Sequence, residues 1–443
     1  MGKLNALDNS KTDKGKMQIR IKKDKEDKVL EFVTTAISLL EPNSTTLAGG
    51  NAHNFEYKFE QYVYALSNLI KIPGIKNFND AQLIIRNAIK KSKNYSPLTL
   101  DDFKNNLEEA RRESLERPHE RYYFVFPLKI KYKSLKKRKI TLLDTEIKVC
   151  SYKYIQKNFS YEELKQEAEH DTRIKEGIKE GLEPSRTYFV IEEYAIDEDR
   201  ARYSASDKFE LLRSIINFVD QYGRIHKHFG EPTPLSLIYP PKVFFAFDSN
   251  RTYLYMWMTN ITYTGEIDSD LLKSRKVIER SEKIIKKINS LKNGGLRDLI
   301  IEALYRHNNA LDYYDKKWLS FLSFWQIFEL ITLSSKYNLK QDEVCKRMLS
   351  LLKEKDPYED IIDVFKKKRN KFVHEAELRD FTENDINMIK GIAQEAIIFL
   401  IYDASNLKDI GGLDFFYRNI HTSGEGFKIK TDILKYIGKI KNV

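Results

Sequence analysis

The chain has 443 residues, of which 41% are hydrophobic and 12% aromatic, and this composition indicates a folded protein rather than a disordered one. Lysine and arginine outnumber aspartate and glutamate by 76 to 65, an excess that favours a polyanionic partner such as nucleic acid. The presence of only two cysteines argues against a disulfide framework and a cysteine-based zinc site, and no apolar run reaches the ~20 residues of a membrane span, so we expect a cytoplasmic protein without a membrane segment.

The first third of the chain is predicted to be helical after a charged start. Residues 1–29 mix lysine with acidic residues and are expected to form a mobile charged tail. Four segments with helical apolar spacing follow, and the last of them has a helix-start signal in which Thr99 precedes Asp101 and Asp102. The sequence therefore predicts an N-terminal helical region over 30–117.

The composition changes at Pro118, where β-branched and aromatic residues become frequent. The runs "RYYFVFPLKIKY" and "KITLLDTEIKVCSY" are predicted to pair as a hairpin or as neighbouring strands. Three more strands are predicted in "RTYFVIEEYAI", "PKVFFAFD" and "TYLYMWMT", with a helix in "ASDKFELLRSIINFVDQY" capped by Ser206 or Asp207. We expect an α+β domain over 118–290.

The remainder is predicted to be an all-α bundle over 291–405, followed by a less regular C-terminal extension over 406–443. Five helices are expected at about 296–314, 317–334, 341–353, 358–374 and 383–404, and their short connections predict antiparallel neighbours. The predicted fold class is α+β, with N-terminal helices and a mixed α/β sheet domain ahead of a C-terminal helical bundle.

One helix of this bundle, "KKWLSFLSFWQIFELITLSS", is apolar on nearly every side and is expected to lie in its interior. Its narrow polar stripe includes Glu329, which we expect to be buried or half-buried. A buried carboxylate needs a cationic or hydrogen-bonding partner, and Arg369 is the candidate within the bundle.

A second stretch, "KKKRNKFVHEAE", carries the chemistry. Together with the aromatic helix bearing Trp325 and Glu329, and with the long helix "TENDINMIKGIAQEAIIFLIYD", it resembles HEPN domains, most closely the Apea-like branch of prokaryotic antiphage proteins. The resemblance covers about 296–405. It implies a homodimeric endoribonuclease, acting on tRNA or other structured RNA, in antiphage defence through abortive infection or as a toxin. It also implies these catalytic residues: Glu329, Arg369, Asn370 and His374.

Histidine and arginine suit RNA cleavage because the reaction needs a proton acceptor, a proton donor and positive charge at the phosphate. On a helix, Arg369 and His374 lie about 140° apart, so two copies of the helix are needed to direct both groups at one phosphorus. The adjacent lysines are expected to bind neighbouring RNA phosphates: Lys366, Lys367, Lys368 and Lys371. This scheme requires neither a metal nor another cofactor.

Other interpretations stay open. The bundle is alternatively a non-catalytic HEPN module, an antitoxin or adaptor that binds RNA or a partner protein. Glu146 and Lys148 form a Glu-x-Lys pattern found in magnesium nucleases, although an exposed strand with alternating charge explains it better. His307 is expected to be a packed or exposed polar residue, with a position at the cleft as the alternative. The α+β domain is expected to be a sensor or regulator that responds to a phage-derived trigger or a partner.

Overall fold

The computed structural model describes residues 19–22, 24–40, 52–75, 78–116, 118–128, 139–225, 235–236, 238–258, 275–292, 294–352, 356–375, 381–407 and 409–419. The chain is mixed α+β, as predicted, and divides after His119 into two compact units.

The first unit contains a two-stranded antiparallel sheet and four helices around their own hydrophobic core. Its elements are β1 (Arg20–Ile21), α1 (Glu26–Leu40), α2 (Ala52–Leu69), β2 (Ile70–Lys71), α3 (Phe78–Ser92) and α4 (Leu100–Glu116). The predicted start of α4 is confirmed, since the Asp102 amide donates to Thr99 Oγ1 at 3.2 Å and the Thr99 amide donates to Asp102 Oδ2 at 3.0 Å. The expected tail over 1–29 already holds secondary structure from Arg20 onward, and residues 1–18 lie outside the described residues.

The second unit contains a six-stranded antiparallel sheet with the strand order β4-β5-β6-β3-β7-β8. Its strands are β3 (Glu120–Leu128), β4 (Lys139–Leu142), β5 (Thr145–Ser151), β6 (Thr187–Ala195), β7 (Val243–Phe247) and β8 (Tyr253–Met258). The predicted pairing of the first two runs is wrong, because β3 pairs with β6 and β7 instead. The run "KITLLDTEIKVCSY" forms a hairpin by itself, β4 with β5, turning at Leu143 in the left-handed region (φ 49°).

Helices cover both faces of this sheet. Three short helices pack on one face: α5 (Tyr152–Asn158), α6 (Glu162–His170) and α7 (Thr172–Gly181). A single long helix, α8 (Glu198–Gln221), packs on the other. Strand β3 alternates accordingly, with Phe124 and Phe126 toward α8 and Tyr123 and Val125 toward the short helices.

Helix α8 starts earlier than the sequence indicated. Its N-cap is Asp197, whose carboxylate accepts the amide of Arg200 at 2.8 Å, so the predicted caps Ser206 and Asp207 are wrong. Both of those residues lie inside the helix. The sequence did not reveal the true start because the first two turns of α8 are mostly polar and lack apolar periodicity.

The helices of the bundle begin with α9 (Arg275–Ser290). They continue as α10 (Leu296–Asp312), α11 (Lys317–Ile331), α12 (Ser334–Tyr337), α13 (Gln341–Leu349), α14 (Asp356–Glu375), α15 (Glu383–Ile398) and α16 (Ile410–Asn419). All five predicted helices are present, and α15 runs on through a π-helical turn, Phe399–Asp403. Within the described ranges, no helix combines the length and apolar character needed to cross a membrane.

One continuous hydrophobic core joins the α8 face of the sheet to the bundle. Helix α8 is the shared element, because Phe209 near its middle stacks on Phe126 of the sheet with ring centroids 4.4 Å apart. Farther along, Arg213 donates to Asp312 of α10 at 2.7 Å. The sheet and the bundle therefore belong to one compact unit, and the boundary at 290 stays a prediction.

Candidate functional site

The residue pair that the sequence singled out in the bundle is in contact. Helix α11 presents Glu329 and α14 presents Arg369, whose NH2 group lies 3.1 Å from Glu329 Oε1. The indole of Trp325, one turn before Glu329, donates to the same oxygen at 3.2 Å. The side chain of Glu329 is 28% exposed and is therefore half-buried, as expected.

A third donor to this carboxylate, Gln341, was not anticipated. It is the first residue of α13, and its Nε2 donates to Glu329 Oε1 at 2.9 Å. All three side-chain donors converge on Oε1, and Oε2 of Glu329 accepts no hydrogen bond from the described part of the chain. No sequence spacing signals Gln341, because its approach depends on the turn between α11 and α13.

Asn370 and His374 continue the site along α14. The NH1 group of Arg369 donates to Asn370 Oδ1 at 3.3 Å, so Glu329, Arg369 and Asn370 form one hydrogen-bonded set. His374 lies in the last turn of α14 and is exposed to solvent. Between them, Phe372 stacks on Trp318 of α11 with ring centroids 5.3 Å apart, which fixes this end of the helix against the bundle.

Three of the four lysines expected to bind RNA already contact carboxylates. Lys366 lies 2.9 Å from Asp342 and 2.7 Å from Asp363, and Lys367 contacts Asp363 at 2.7 Å. Lys368 contacts Asp385 at 2.8 Å. The fourth lysine of the set, Lys371, is exposed to solvent.

These contacts shift the titration of the carboxylates. Hydrogen bonds from Lys366 and Lys367 lower the pKa of Asp363 to about 2. Burial opposes the charge of Asp385, yet hydrogen bonds from Lys368 and Thr382 prevail and bring its pKa below the usual value. The positive charge of these three lysines is therefore largely matched within the protein.

The remaining candidates lie elsewhere. Glu146 lies 3.0 Å from Lys139 and 4.0 Å from Lys148, an alternating charge pattern on the sheet. No cluster of three potential metal-ligating acidic, histidine or cysteine side chains occurs among the described residues. His307 is fully buried, and its Nε2 lies 3.0 Å from Gln394 Nε2. It therefore packs in the core, which was one of the two expectations, and does not border a cleft.

No family model matches this chain, and neither a curated protein nor a solved structure matches it. The resemblance to HEPN domains thus rests on the sequence motifs alone.

Proposed function

We propose that this protein is a metal-independent endoribonuclease of the HEPN type, with its nuclease domain formed by the C-terminal bundle behind the sheet. One observation carries the proposal. Arg369 is held by Glu329 beside Asn370, while the same helix ends one turn later with an exposed imidazole at His374.

The chemistry uses the 2′-hydroxyl of RNA as the nucleophile. The His374 imidazole serves as the proton acceptor or the proton donor of the reaction. Arg369 is permanently charged and stabilises the additional negative charge on phosphorus in the transition state. Asn370 orients the guanidinium that it contacts. The products are a 2′,3′-cyclic phosphate and a free 5′-hydroxyl.

A homodimer completes the proposed site. Arg369 and His374 point about 140° apart on one helix, so a single copy cannot bring both groups to one phosphate. Two α14 helices that meet across a two-fold axis place two histidines and two arginines along one cleft. The substrate class suggested by the resemblance is structured RNA such as tRNA, cut in the cytoplasm during antiphage defence. The sheet is then the region that receives a phage-derived or partner signal.

A non-catalytic role is the second candidate, and the ion pairs favour it. Lys366, Lys367 and Lys368 contact aspartates, and Arg369 contacts Glu329, which is what an architectural helix requires. In that case the bundle binds RNA or a partner protein without cutting.

Cleavage assays separate the two candidates. Purified protein is incubated with total RNA in EDTA, alongside His374→Ala, Arg369→Ala and the matched control His170→Ala, which changes an exposed histidine of α6. The nuclease proposal expects cleavage by the wild type and by the control, and its loss in the two site variants. Absence of cleavage by the wild-type dimer, or equal cleavage by all four proteins, contradicts it.

A further inference from the structure

Near the candidate site in the chain lies a group of cations, two of which contact no carboxylate of the described residues. Around α12, three cations lie near the ring of Tyr337: Lys336 Nζ at 5.1 Å, Arg418 Cζ at 5.6 Å and Arg347 Cζ at 5.8 Å from its centroid. With Lys340, they make four cations in one region. We call the exposed part of this region the α12 patch: Lys336, Tyr337, Lys340 and Arg418.

Two carboxylates of the described residues contact two of these four cations, Arg418 and Arg347. Asp414 lies 2.8 Å from Arg418 and 3.8 Å from Arg347, and Glu343 lies 3.3 Å from Arg347. Lys336 and Lys340 are exposed and form no ion pair with any described residue. The α12 patch therefore keeps two positive charges, whereas the lysines of α14 are largely matched by aspartates.

The fold gains little from these two lysines. Lys340 occupies the N-cap of α13 and provides no side-chain cap, at a position where Ser, Thr, Asp and Asn stabilise a helix. A cation there also opposes the helix dipole. Leu333, just before α12, adopts a left-handed backbone conformation (φ 62°), which is costly for a bulky side chain, whereas Asn338 after α12 (φ 49°) is of a type that tolerates it.

Two neighbours of the α12 patch, Gln341 and Arg347, contact the stretch of chain that carries Glu329. Gln341, the neighbour of Lys340 in the chain, donates to Glu329 at 2.9 Å. Arg347 donates at 3.1 Å to the carbonyl oxygen of Thr332, three residues after Glu329 on the same stretch of chain. Lys340 is therefore one residue away in the chain from a direct partner of the Glu329 carboxylate.

We propose that Lys336, Lys340 and Arg418 bind backbone phosphates of the RNA strand beside the scissile phosphate. This inference rests on the proposed function, because it assigns RNA to the same site. Exposed cations that no described carboxylate pairs bind a polyanion by releasing its counterions, so each contact adds a measurable salt dependence. Tyr337 holds the charged groups of Lys336 and Arg418 around one ring and limits their freedom before RNA binds.

The test measures binding separately from cleavage. A fluorescent single-stranded RNA with a 2′-O-methyl group on every ribose cannot be cut by the proposed route, and its anisotropy is followed with the full chain over a range of NaCl concentrations. For a single strand, log K for binding falls linearly with the log of the salt concentration, and each lost phosphate contact makes this slope less steep by about 0.7. Lys336→Ala/Lys340→Ala is therefore expected to make it less steep by about 1.4. Lys336→Arg/Lys340→Arg is expected to keep the wild-type slope.

The matched control is Lys283→Ala/Lys286→Ala, which removes two exposed lysines of α9. A drop in slope confined to the α12 patch variant supports the inference, and an unchanged slope overturns it. If the wild type binds through the patch but never cuts unmodified RNA, only the nuclease proposal fails. If His374-dependent cutting occurs while the patch variant keeps its slope and its KM, only the patch inference fails. Loss of binding to poly-aspartate with RNA binding intact assigns the patch to an acidic protein partner and also overturns it.

Discussion

Arg369 and Glu329 meet through a single nitrogen and a single oxygen, with 3.1 Å between NH2 of the arginine and Oε1 of the glutamate. The NH1 group of the arginine turns instead to Asn370, and Oε2 of the glutamate takes no donor from the described residues. The guanidinium carries five N–H groups, so these two contacts fix its position and leave N–H groups that no described residue engages.

Replacing Glu329 by glutamine tests whether its charge positions Arg369. Glu329→Gln keeps the shape but replaces the ion pair with Arg369 by a weaker hydrogen bond from the guanidinium to a neutral amide. A bond to a charged group contributes about 1.5–3 kcal/mol, so we expect the cleavage rate to fall roughly tenfold to a hundredfold, or the free energy of unfolding to fall by a similar amount. Initial rates and urea unfolding measure the two effects.

The control for this change is Glu302→Gln, which weakens the more exposed Glu302–Arg306 pair on α10. We expect Glu302→Gln to lower the free energy of unfolding by less than about 1 kcal/mol. Wild-type rate and stability in Glu329→Gln refute a positioning role for that carboxylate.

Gln341 is expected to act through Glu329. Gln341→Met has a similar volume but lacks the amide that donates to Glu329 Oε1. Loss of one hydrogen bond of about 1 kcal/mol is expected to lower kcat roughly fivefold with KM little changed, because the proposed effect of Gln341 is on the position of Glu329 and not on RNA binding. Gln326→Met, at an exposed glutamine of α11, is the control. An effect confined to KM places Gln341 on the substrate instead.

The junction of α8 with the bundle depends on Arg213. Its guanidinium is 2% exposed and contacts Glu210 at 2.6 Å and Asp312 at 2.7 Å. Arg213→Met leaves two carboxylates without their cation, and we expect the free energy of unfolding to fall by about 3–5 kcal/mol. All three tryptophans of the chain lie in the second unit, so tryptophan emission during urea unfolding follows that unit. A loss below ~1 kcal/mol contradicts the prediction.

Local pattern and long-range pairing explain which features the sequence revealed. The helices of the bundle were predicted because apolar residues recur along each of them at helical spacing. The pairing of β3 with β6 was not predicted. Strand β6 begins 59 residues after β3 ends at Leu128, and no turn motif links the two strands. Pairing in a sheet depends on the whole topology, whereas the β4–β5 hairpin is fixed by one turn at Leu143.

The candidate site shows the same division. The Glu329–Arg369 contact followed from the need of a half-buried carboxylate for a cation. The partners of Lys366 and Lys368 did not follow, because Asp342 and Asp385 belong to two other helices that only the packed bundle brings close. A run of lysines in a sequence does not indicate how much of its charge the fold will match.

Two glycines give opposite expectations for the same substitution. A Cβ at Gly181 of α7 would lie 2.6 Å from Phe245 and 2.7 Å from Val243, too close for packed carbon atoms. Gly181→Ala is therefore expected to cost about 1–3 kcal/mol of unfolding free energy. Gly391→Ala in α15 meets nothing within 4 Å and is expected to stabilise by about 0.5–1 kcal/mol. Urea unfolding measures both, and equal effects would contradict this account of α7 packing.

His307 is expected to make the second unit less stable as the pH falls. Burial, with the nearby charge of Lys390 in addition, lowers the pKa of this histidine to about 3 from its ordinary value of 6.5. Its ring packs edge-on against Phe218 and Phe324, an environment that disfavours the charged imidazolium. Between these two pH values the unfolded chain binds a proton at His307 and the native chain does not, so acid favours unfolding.

The expected contribution is a loss of about 1.4 kcal/mol of unfolding free energy per pH unit below pH ~6. Urea unfolding, followed by tryptophan emission between pH 7 and pH 5, compares the wild type with His307→Phe, whose ring fits among the same aromatic side chains. The free energy of unfolding of the variant is expected to depend less on pH, by about that amount, whatever its value at pH 7. Gln394 loses only its contact with the imidazole. His170→Ala, at an exposed histidine, is expected to keep the wild-type dependence. If His307→Phe keeps the wild-type dependence as well, His307 does not supply the pH dependence between pH 7 and pH 5, which contradicts the prediction.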